Sequence, residues 1–260
     1  MSLTKPVREL SVEETFRYTF NIYALKFLEF FIPFLVAGVI IGAFTALINN
    51  YIQPVAPSPH APPDVFWSQF WNFLASVLLV VILMGIVSWI VGTIASGICV
   101  KLASDFIEKG NTSLQESFHY TMTRLPSLLP AGVITGILTV LGFLALIIPG
   151  IIIAIMFSLA VPAILLERLD VLKGLGRSRR LVSNRWLKTF VLLLIVGIVI
   201  LAVSGIANFV TTPLGIAGSL ISSIIAAFVQ PILPIALTLY YYSMLARETL
   251  LQPPPPPPAL

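Results

Sequence analysis

The run WSQFWNFLASVLLVVILMGIVSWIVGTIASGICVK, from Trp67 to Lys101, carries no charged side chain before its last residue. A bilayer core is crossed by about 20 apolar residues rising 1.5 Å each, so this run predicts a transmembrane helix with length to spare. The excess predicts that the helix tilts or continues past the lipid through Ala103 to Glu108, stopping at Gly110-Asn111. Five more apolar runs surround it: Phe27 to Asn49, Leu125 to Ile148, Gly150 to Leu166, Trp186 to Val210 and Ala217 to Leu245. The fold class is therefore all-α integral membrane, with six transmembrane helices. Pro149-Gly150, the only residues between the third and fourth runs, predict a tight hairpin there.

Composition agrees. The chain is 58% hydrophobic and 10% charged, against roughly a quarter charged in soluble domains. All 15 Lys and Arg fall into four patches: Lys5 to Lys26, Lys101 to Arg124, Arg168 to Lys188, and Arg247. The gaps Asn50 to Phe66, Pro149-Gly150 and Thr211 to Gly215 have none. Lys and Arg flank spans on the cytoplasmic side, so both termini are placed inside a cell membrane. This placement also accounts for the net charge of +4 without nucleic acid. Trp67, Trp71 and Tyr51 suit an outer interfacial belt, and Trp186, Tyr240 and Tyr241 an inner one. The organisation reads as an N-terminal tail (1–10), a six-helix membrane domain (11–248) and a proline-rich cytoplasmic tail (249–260).

The chain also repeats itself. Ser11-Val-Glu-Glu-Thr-Phe-Arg-Tyr-Thr-Phe20 aligns with Ser113-Leu-Gln-Glu-Ser-Phe-His-Tyr-Thr-Met122. Each opens with a serine N-cap and a glutamate three residues on, the capping-box arrangement. Asp170 offers a fainter third start, and its distance to Gly197 equals that from Ser11 to Gly38. The expectation is three repeats, each an inner-surface amphipathic helix followed by a transmembrane hairpin. It places Ser11 to Lys26, Ser113 to Arg124 and Asp170 to Asn184 as separate helices, with Phe16 and Phe118 in equivalent positions. Gly38/Gly42 and Gly132/Gly136 are expected to face the bundle centre, and Pro162, Pro231 and Pro234 to interrupt spans.

No ionisable side chain falls in the middle of a span, which disfavours ion-coupled transport. Asp64 and His60 alone cannot form a catalytic pair or a tight metal site. The lone Cys99 excludes an intramolecular disulfide. There is no phosphate loop or nucleophile elbow, so no catalytic, cofactor or metal-binding residue is assigned and no cofactor is expected. One segment stands out: Lys173, Arg177, Arg180, Asn184 and Lys188 recur at helical spacing along one stripe. That is the pattern of a helix lying on an anionic surface, so Lys173, Arg177, Arg180 and Lys188 are the candidate headgroup-binding residues. Glu167 and Asp170 are expected to pair with Arg168 or Lys173, leaving the others freer for phosphate.

Several of these segments resemble the membrane domain attached to some glycerophosphodiester phosphodiesterases and its free-standing relatives. The similar features are Ile148-Pro-Gly150, Pro162-Ala-Ile-Leu-Leu-Glu167, Arg177-Ser178 with Leu181 and Arg185-Trp186, and Tyr241-Tyr242 with Arg247-Glu248. They extend over Ser11 to Glu248. Ser243 and Leu245 depart from the acid and base expected after the tyrosine pair, and the phosphodiesterase barrel is missing. The resemblance implies a membrane module without its catalytic barrel.

The leading expectation is thus a non-enzymatic accessory or lipid-handling module that engages anionic headgroups at its cytoplasmic face. Membrane lipids are its expected partners, and Pro253 to Pro258 could offer a polyproline II segment to a partner protein. The alternatives are a passive channel or carrier lined by residues such as Ser76, Thr93 and Ser223, and an intramembrane enzyme built where Glu29, Glu167 and Glu248 meet.

Overall fold

A computed structural model describes residues 5–251, apart from the side chains of residues 49, 214–217, 219, 220 and 251. The Pro253 to Pro258 run lies outside the described residues. The chain folds as α1 (Val12–Leu25), α2 (Phe27–Tyr51), α3 (Pro63–Lys109), α4 (Leu114–Ala145), α5 (Ile147–Met156), α6 (Ala160–Leu166), α7 (Val171–Val182), α8 (Trp186–Thr211), α9 (Gly215–Val229) and α10 (Ile232–Leu251). Six stretches are long and apolar enough to cross a membrane: α2, α3, α4, α5 with α6, α8, and Ile221–Leu250 from α9 and α10. Their outer surfaces expose Val140, Leu144, Leu201 and Phe209. Lipid is the solvent that such surfaces suit, since an unbroken helix satisfies its own backbone groups.

The excess length of the second span is used as expected. α3 ends at Gly110, whose φ of 70° is left-handed and whose amide donates to the Phe106 carbonyl. Glycine reaches that conformation without steric cost. The C-terminal third of α3, around Cys99, Leu102 and Ala103, is buried against α2, α4, α6 and α10. This makes α3 the post on which the charged end of the bundle is assembled.

Two of the three amphipathic segments are separate helices and one is not. α1 starts with a complete capping box: Glu14 N donates to Ser11 Oγ at 3.0 Å and Ser11 N to Glu14 at 2.8 Å. It breaks from α2 at Lys26. α7 breaks from α8 before Arg185, although the Asp170 side chain makes no cap bond. The segment Ser113 to Arg124, by contrast, runs unbroken into α4 through Pro126 and Pro130. Two prolines inside a helix free two carbonyls, whereas ending the helix there would free several groups at each new terminus. Phe118 is consequently half exposed, while Phe16 packs against the cluster around Tyr240. The expected equivalence of these two phenylalanines does not hold.

The turn between the third and fourth spans also differs. It lies at Leu146, with φ −167° and ψ 156°, and Pro149-Gly150 sit inside the first turn of α5. Proline is tolerated there because the first-turn amides have no helical partner anyway. Gly142 and Gly150 make the hairpin tight: a Cβ on Gly142 would come within 2.8 Å of the Gly150 Cα. Among the other glycines, Gly38 abuts Ser223 of α9 and Gly132 abuts Trp89 of α3, while Gly136 has open space beside it. The two glycine pairs therefore do not share one role.

The fourth and sixth spans are interrupted, and side chains repair both breaks. Between α5 and α6, Ser178 Oγ donates to the Met156 carbonyl at 2.8 Å and accepts from Leu159 N at 3.1 Å. Between α9 and α10, Tyr23 donates to the Phe228 carbonyl at 2.8 Å and the Cys99 thiol to that of Pro231 at 3.8 Å. Hydroxyls commonly satisfy backbone freed by a broken span.

Candidate functional site: the charged end of the bundle

All the Asp, Glu, Lys and Arg side chains of the domain except Asp64 gather at one end, on α1, α7 and the near ends of α2, α3, α4, α6, α8 and α10 and the segments that join them. Its centre is Arg177. α7 buries Gly174, Leu175, Ser178 and Leu181, and Arg177, three residues from Gly174 and four from Leu181, is carried on the same face. A Cβ at Gly174 would meet Ile164 of α6 at 2.3 Å, so the missing side chain lets α7 press against α6. The Arg177 side chain is only 10% exposed. Its Nε donates to both oxygens of Glu167 at 2.8 and 3.1 Å. Its two terminal nitrogens donate to the Glu248 carboxylate at 2.9 and 2.6 Å. The Glu248 bonds, with those to Glu167, raise the guanidinium pKa above its ordinary value against the opposing effect of burial. Tyr241 donates its hydroxyl to Glu167 as well. One arginine thus ties α6, α7 and α10 together with the bidentate geometry a lysine lacks.

A second knot forms around Glu9. Lys188 reaches it at 2.5 Å, Arg185 at 3.0 Å and Arg247 at 3.3 Å. Partial burial pushes the Glu9 carboxyl upward, yet the bonds from Lys188 and Arg185 outweigh it and hold the group below the ordinary carboxylate range. The next residue, Leu10, is buried and donates its amide to Ser243 Oγ at 2.7 Å. The segment expected as a tail is therefore packed into the domain from Glu9 onward.

A third group lies beside α3. Lys101 and Lys109 both pair with Asp105, at 2.7 and 2.9 Å. Tyr242 donates to Glu108 at 2.7 Å and shares a 2.7 Å hydrogen bond with Ser104. Next to this group a cleft of about 350 Å³ is lined by Lys5, Lys101, Tyr120, Glu167, Arg168 and Tyr242, among others. Arg168 has φ 55°, a sparsely populated conformation for a side-chain-bearing residue.

This geometry revises several expectations. The stripe Lys173 to Lys188 is not one free basic face, because α7 ends at Val182 and α8 begins at Trp186. Arg177 and Lys188 are taken up by carboxylates at hydrogen-bond distance, whereas Lys173 and Arg180 stay 76% and 69% exposed, although Arg180 lies 3.6 Å from Glu248. Asp170 lies 3.8 Å from Lys173 as anticipated, but Glu167 pairs with Arg177 rather than Arg168. Tyr240 and Tyr241 are fully buried core residues, not an interfacial belt. Tyr240 shares a 2.9 Å hydrogen bond with Thr189. Two of the three glutamates weighed for an acid-base site do meet, at Arg177, which compensates both charges; Glu29 pairs with Lys26 at 3.1 Å. Of the hydroxyls weighed for a solute path, Ser76 and Thr93 bond to carbonyls of their own helix. Among the described residues no group of three His, Cys, Asp or Glu is placed to hold a metal ion.

Sequence reasoning missed Glu9, Ser243 and Arg247 as a group, since their partners lie 176 residues or more away in the chain.

What fold and site define is a helical module with six spans whose charged end is locked by ion pairs. The chain belongs to the family described as Domain of unknown function (DUF7847), whose model matches residues 24–246. That match takes in five spans whole, the sixth as far as residue 246, and the Arg177 knot except Glu248. No curated protein and no solved structure matches the chain.

Proposed function

We propose that this protein is a non-enzymatic multi-pass module of the cell membrane, with its charged end and both termini on the cytoplasmic side, that engages anionic lipid headgroups at that face. The observation that carries the proposal is the two-sidedness of α7. One face is buried against α6 and clamped by Arg177; the other presents Lys173, Arg179 and Arg180, with Leu172 exposed beside them. Each cation near an anionic leaflet contributes about 1 kcal/mol. Lys173 and Arg180 remain the proposed headgroup residues, with Arg179 added, while Arg177 and Lys188 serve the scaffold.

The three-unit organisation belongs to the same reading. Four and eight residues after the caps Ser11, Ser113 and Asp170 stand Thr15 and Thr19, Ser117 and Thr121, Gly174 and Ser178, and all six are buried. Lys26 and Arg185, each 15 residues after its cap, adopt similar dihedrals, −127°/37° and −143°/22°. The kinship with the membrane domain of glycerophosphodiester phosphodiesterases is likewise a proposal. Its support is that Glu167, Arg177, Ser178, Tyr241, Tyr242 and Glu248, all in the similar segments, hydrogen-bond within the charged end.

The test is lipid retention. The double variant Lys173→Glu with Arg180→Glu, purified from membranes containing phosphatidylglycerol, is compared with the parent by native mass spectrometry. Loss of anionic lipid with zwitterionic lipid retained supports the reading, and an unchanged lipid profile removes it.

A further inference from the structure

The cleft between α3, α4 and α6 is a different place from the exposed face of α7, and its chemistry is more specific than that of a charged surface. Three cations from separate regions of the chain converge on it: Lys5 from the N-terminal segment, Lys101 from α3, and Arg168 from the link between α6 and α7. Two of them share one aromatic support. Lys101 Nζ lies 5.0 Å and Arg168 Cζ 5.9 Å from the centroid of the Tyr120 ring. Lys5 Nζ stands 5.0 Å from the Tyr242 ring. Such contacts hold a cation without neutralising it.

The two carboxylates in the lining are already engaged by donors. Glu167 accepts from Arg177 and Tyr241, and Glu108 accepts from Tyr242 and lies 3.8 Å from Lys5. Lys101 is paired with Asp105. Arg168 differs: among the described residues no carboxylate lies within ion-pair distance of it, and its guanidinium rests near the Tyr120 ring. Tyr120 itself is fixed, because its hydroxyl donates to the Leu165 carbonyl at 2.6 Å. The positive φ at Arg168 sets the course of the chain immediately beyond Glu167. A left-handed arginine beside an open cleft is a local cost that an ordinary connection between two helices does not require.

The geometry points to a binding site for a phosphoryl group in this cleft, with Arg168 as the principal ligand and Lys101 and Lys5 as supporting cations. A tetrahedral phosphoryl group can accept from donors arriving in different directions, and the guanidinium fork suits it. Inorganic phosphate would leave much of the volume unfilled, so a phosphomonoester with a small polar substituent is the better fit. That chemistry is shared by a soluble phosphomonoester and by the headgroup of phosphatidate, both of which could reach a cleft at this end of the bundle. The site rests on residues distinct from Lys173 and Arg180, so it stands or falls apart from the surface reading of α7.

The experiment uses the full chain in two arms. In maltoside detergent, phosphoethanolamine is titrated by calorimetry. In nanodiscs of phosphatidylcholine with or without phosphatidic acid, bound lipid per chain is counted by native mass spectrometry. Saturable one-to-one binding in the first arm identifies a soluble phosphomonoester; one retained phosphatidate per chain in the second, run on the Lys173→Glu, Arg180→Glu background so that the α7 face does not contribute, identifies the lipid. In whichever arm binds, Arg168→Gln should weaken binding about tenfold, the scale of one charge-assisted hydrogen bond, while His60→Gln, exposed in the loop between α2 and α3, leaves it unchanged. Should Arg168→Gln unfold the chain, Lys5→Gln, on an exposed side chain, carries the test with a weakening of several-fold. One-to-one binding in neither arm, or binding undiminished in a folded variant of Arg168 or Lys5, overturns the proposal.

Discussion

Arg177 and Glu248, 71 residues apart, meet through two hydrogen bonds of 2.9 and 2.6 Å, and the same guanidinium holds Glu167 from the other side. Removing one partner of a largely buried pair leaves the remaining charge without compensation, at about 3 kcal/mol. Arg177→Ala leaves Glu167 without a cation and Glu248 with Arg180 alone, at 3.6 Å, so thermal or denaturant unfolding in detergent should show a loss of up to about that size. Arg177→Lys keeps the charge but cannot bridge both partners, and should fall between parent and Arg177→Ala. An Arg177→Ala variant as stable as the parent would mean that the three helices are held by apolar packing alone.

Two glycines of α7 make a sharper comparison because they sit two residues apart on opposite faces. A Cβ at Gly174 would enter Ile164 at 2.3 Å, whereas one at Gly176 meets nothing within 4 Å. Gly174→Ala should therefore destabilise by pushing α7 from α6, by roughly 1 to 3 kcal/mol for an overpacked contact. Gly176→Ala should stabilise by up to about 1 kcal/mol, because alanine is the better helix former. Unfolding midpoints of the two variants check the sign of each.

These helices also show what the chain reveals about itself before it folds. The spans were legible because lipid imposes length and apolarity on each helix separately, so Trp67 to Lys101 could be read without knowing its neighbours. The stop at Gly110 was legible for the same local reason. The turn at Leu146 was not, since proline and glycine in the first turn of a helix look the same in sequence as proline and glycine between helices. Within the stripe from Lys173 to Lys188, Arg177 and Lys188 are held in ion pairs with carboxylates. Arg177 shares a face with Gly174, Ser178 and Leu181, and small residues on that face were a readable sign that it packs inward. The carboxylate partners of the pair were beyond local reading, because Glu248 and Glu9 come from opposite ends of the chain.

Glu14 gives a pH prediction. Arg8 donates to its carboxylate, Ser11 N adds a backbone bond, and the group is held down to about 2 from an ordinary value of 4.5. A carboxyl depressed in the folded state contributes stability above its unfolded value and loses it as pH falls toward the folded one. The start of α1 should thus loosen between pH 4.5 and about 2. Carbon-13 NMR of labelled glutamates should give Glu14 a midpoint of about 2. Arg8→Ala should return it upward; an unchanged midpoint would exclude the Arg8 pair as its main cause.

Ser243 replaces the acid expected from the family resemblance, and it has a different duty. Its hydroxyl accepts the buried Leu10 amide at 2.7 Å. Ser243→Ala leaves that donor unsatisfied at about 1 to 3 kcal/mol. The loss is local, so the visible effect should be release of the segment before α1: faster proteolysis near Leu10 in the detergent-solubilised chain, with the core resistant. Equal cleavage rates in parent and variant would show that the Glu9 ion pairs suffice to hold the segment.

Orientation supplies the last prediction, because every headgroup contact proposed above depends on which side the charged end faces. Lys and Arg cluster beside α1, α7 and the C-terminal end of α3, and none lies between Asn50 and Phe66. By the positive-inside rule such asymmetry predicts that the charged end faces the cytoplasm. Cys99 is the only native cysteine and is buried, so single cysteines introduced at exposed positions report on sidedness. With Cys99→Ser as background, Ser58→Cys in the proline-rich loop should react with a membrane-impermeant maleimide on intact cells. Ser183→Cys, at the end of α7, should react only after permeabilisation. The reverse pattern would put Lys173, Arg180 and the Arg168 cleft on the outer face, and the lipid leaflet and phosphomonoester pool proposed for them would both have to change.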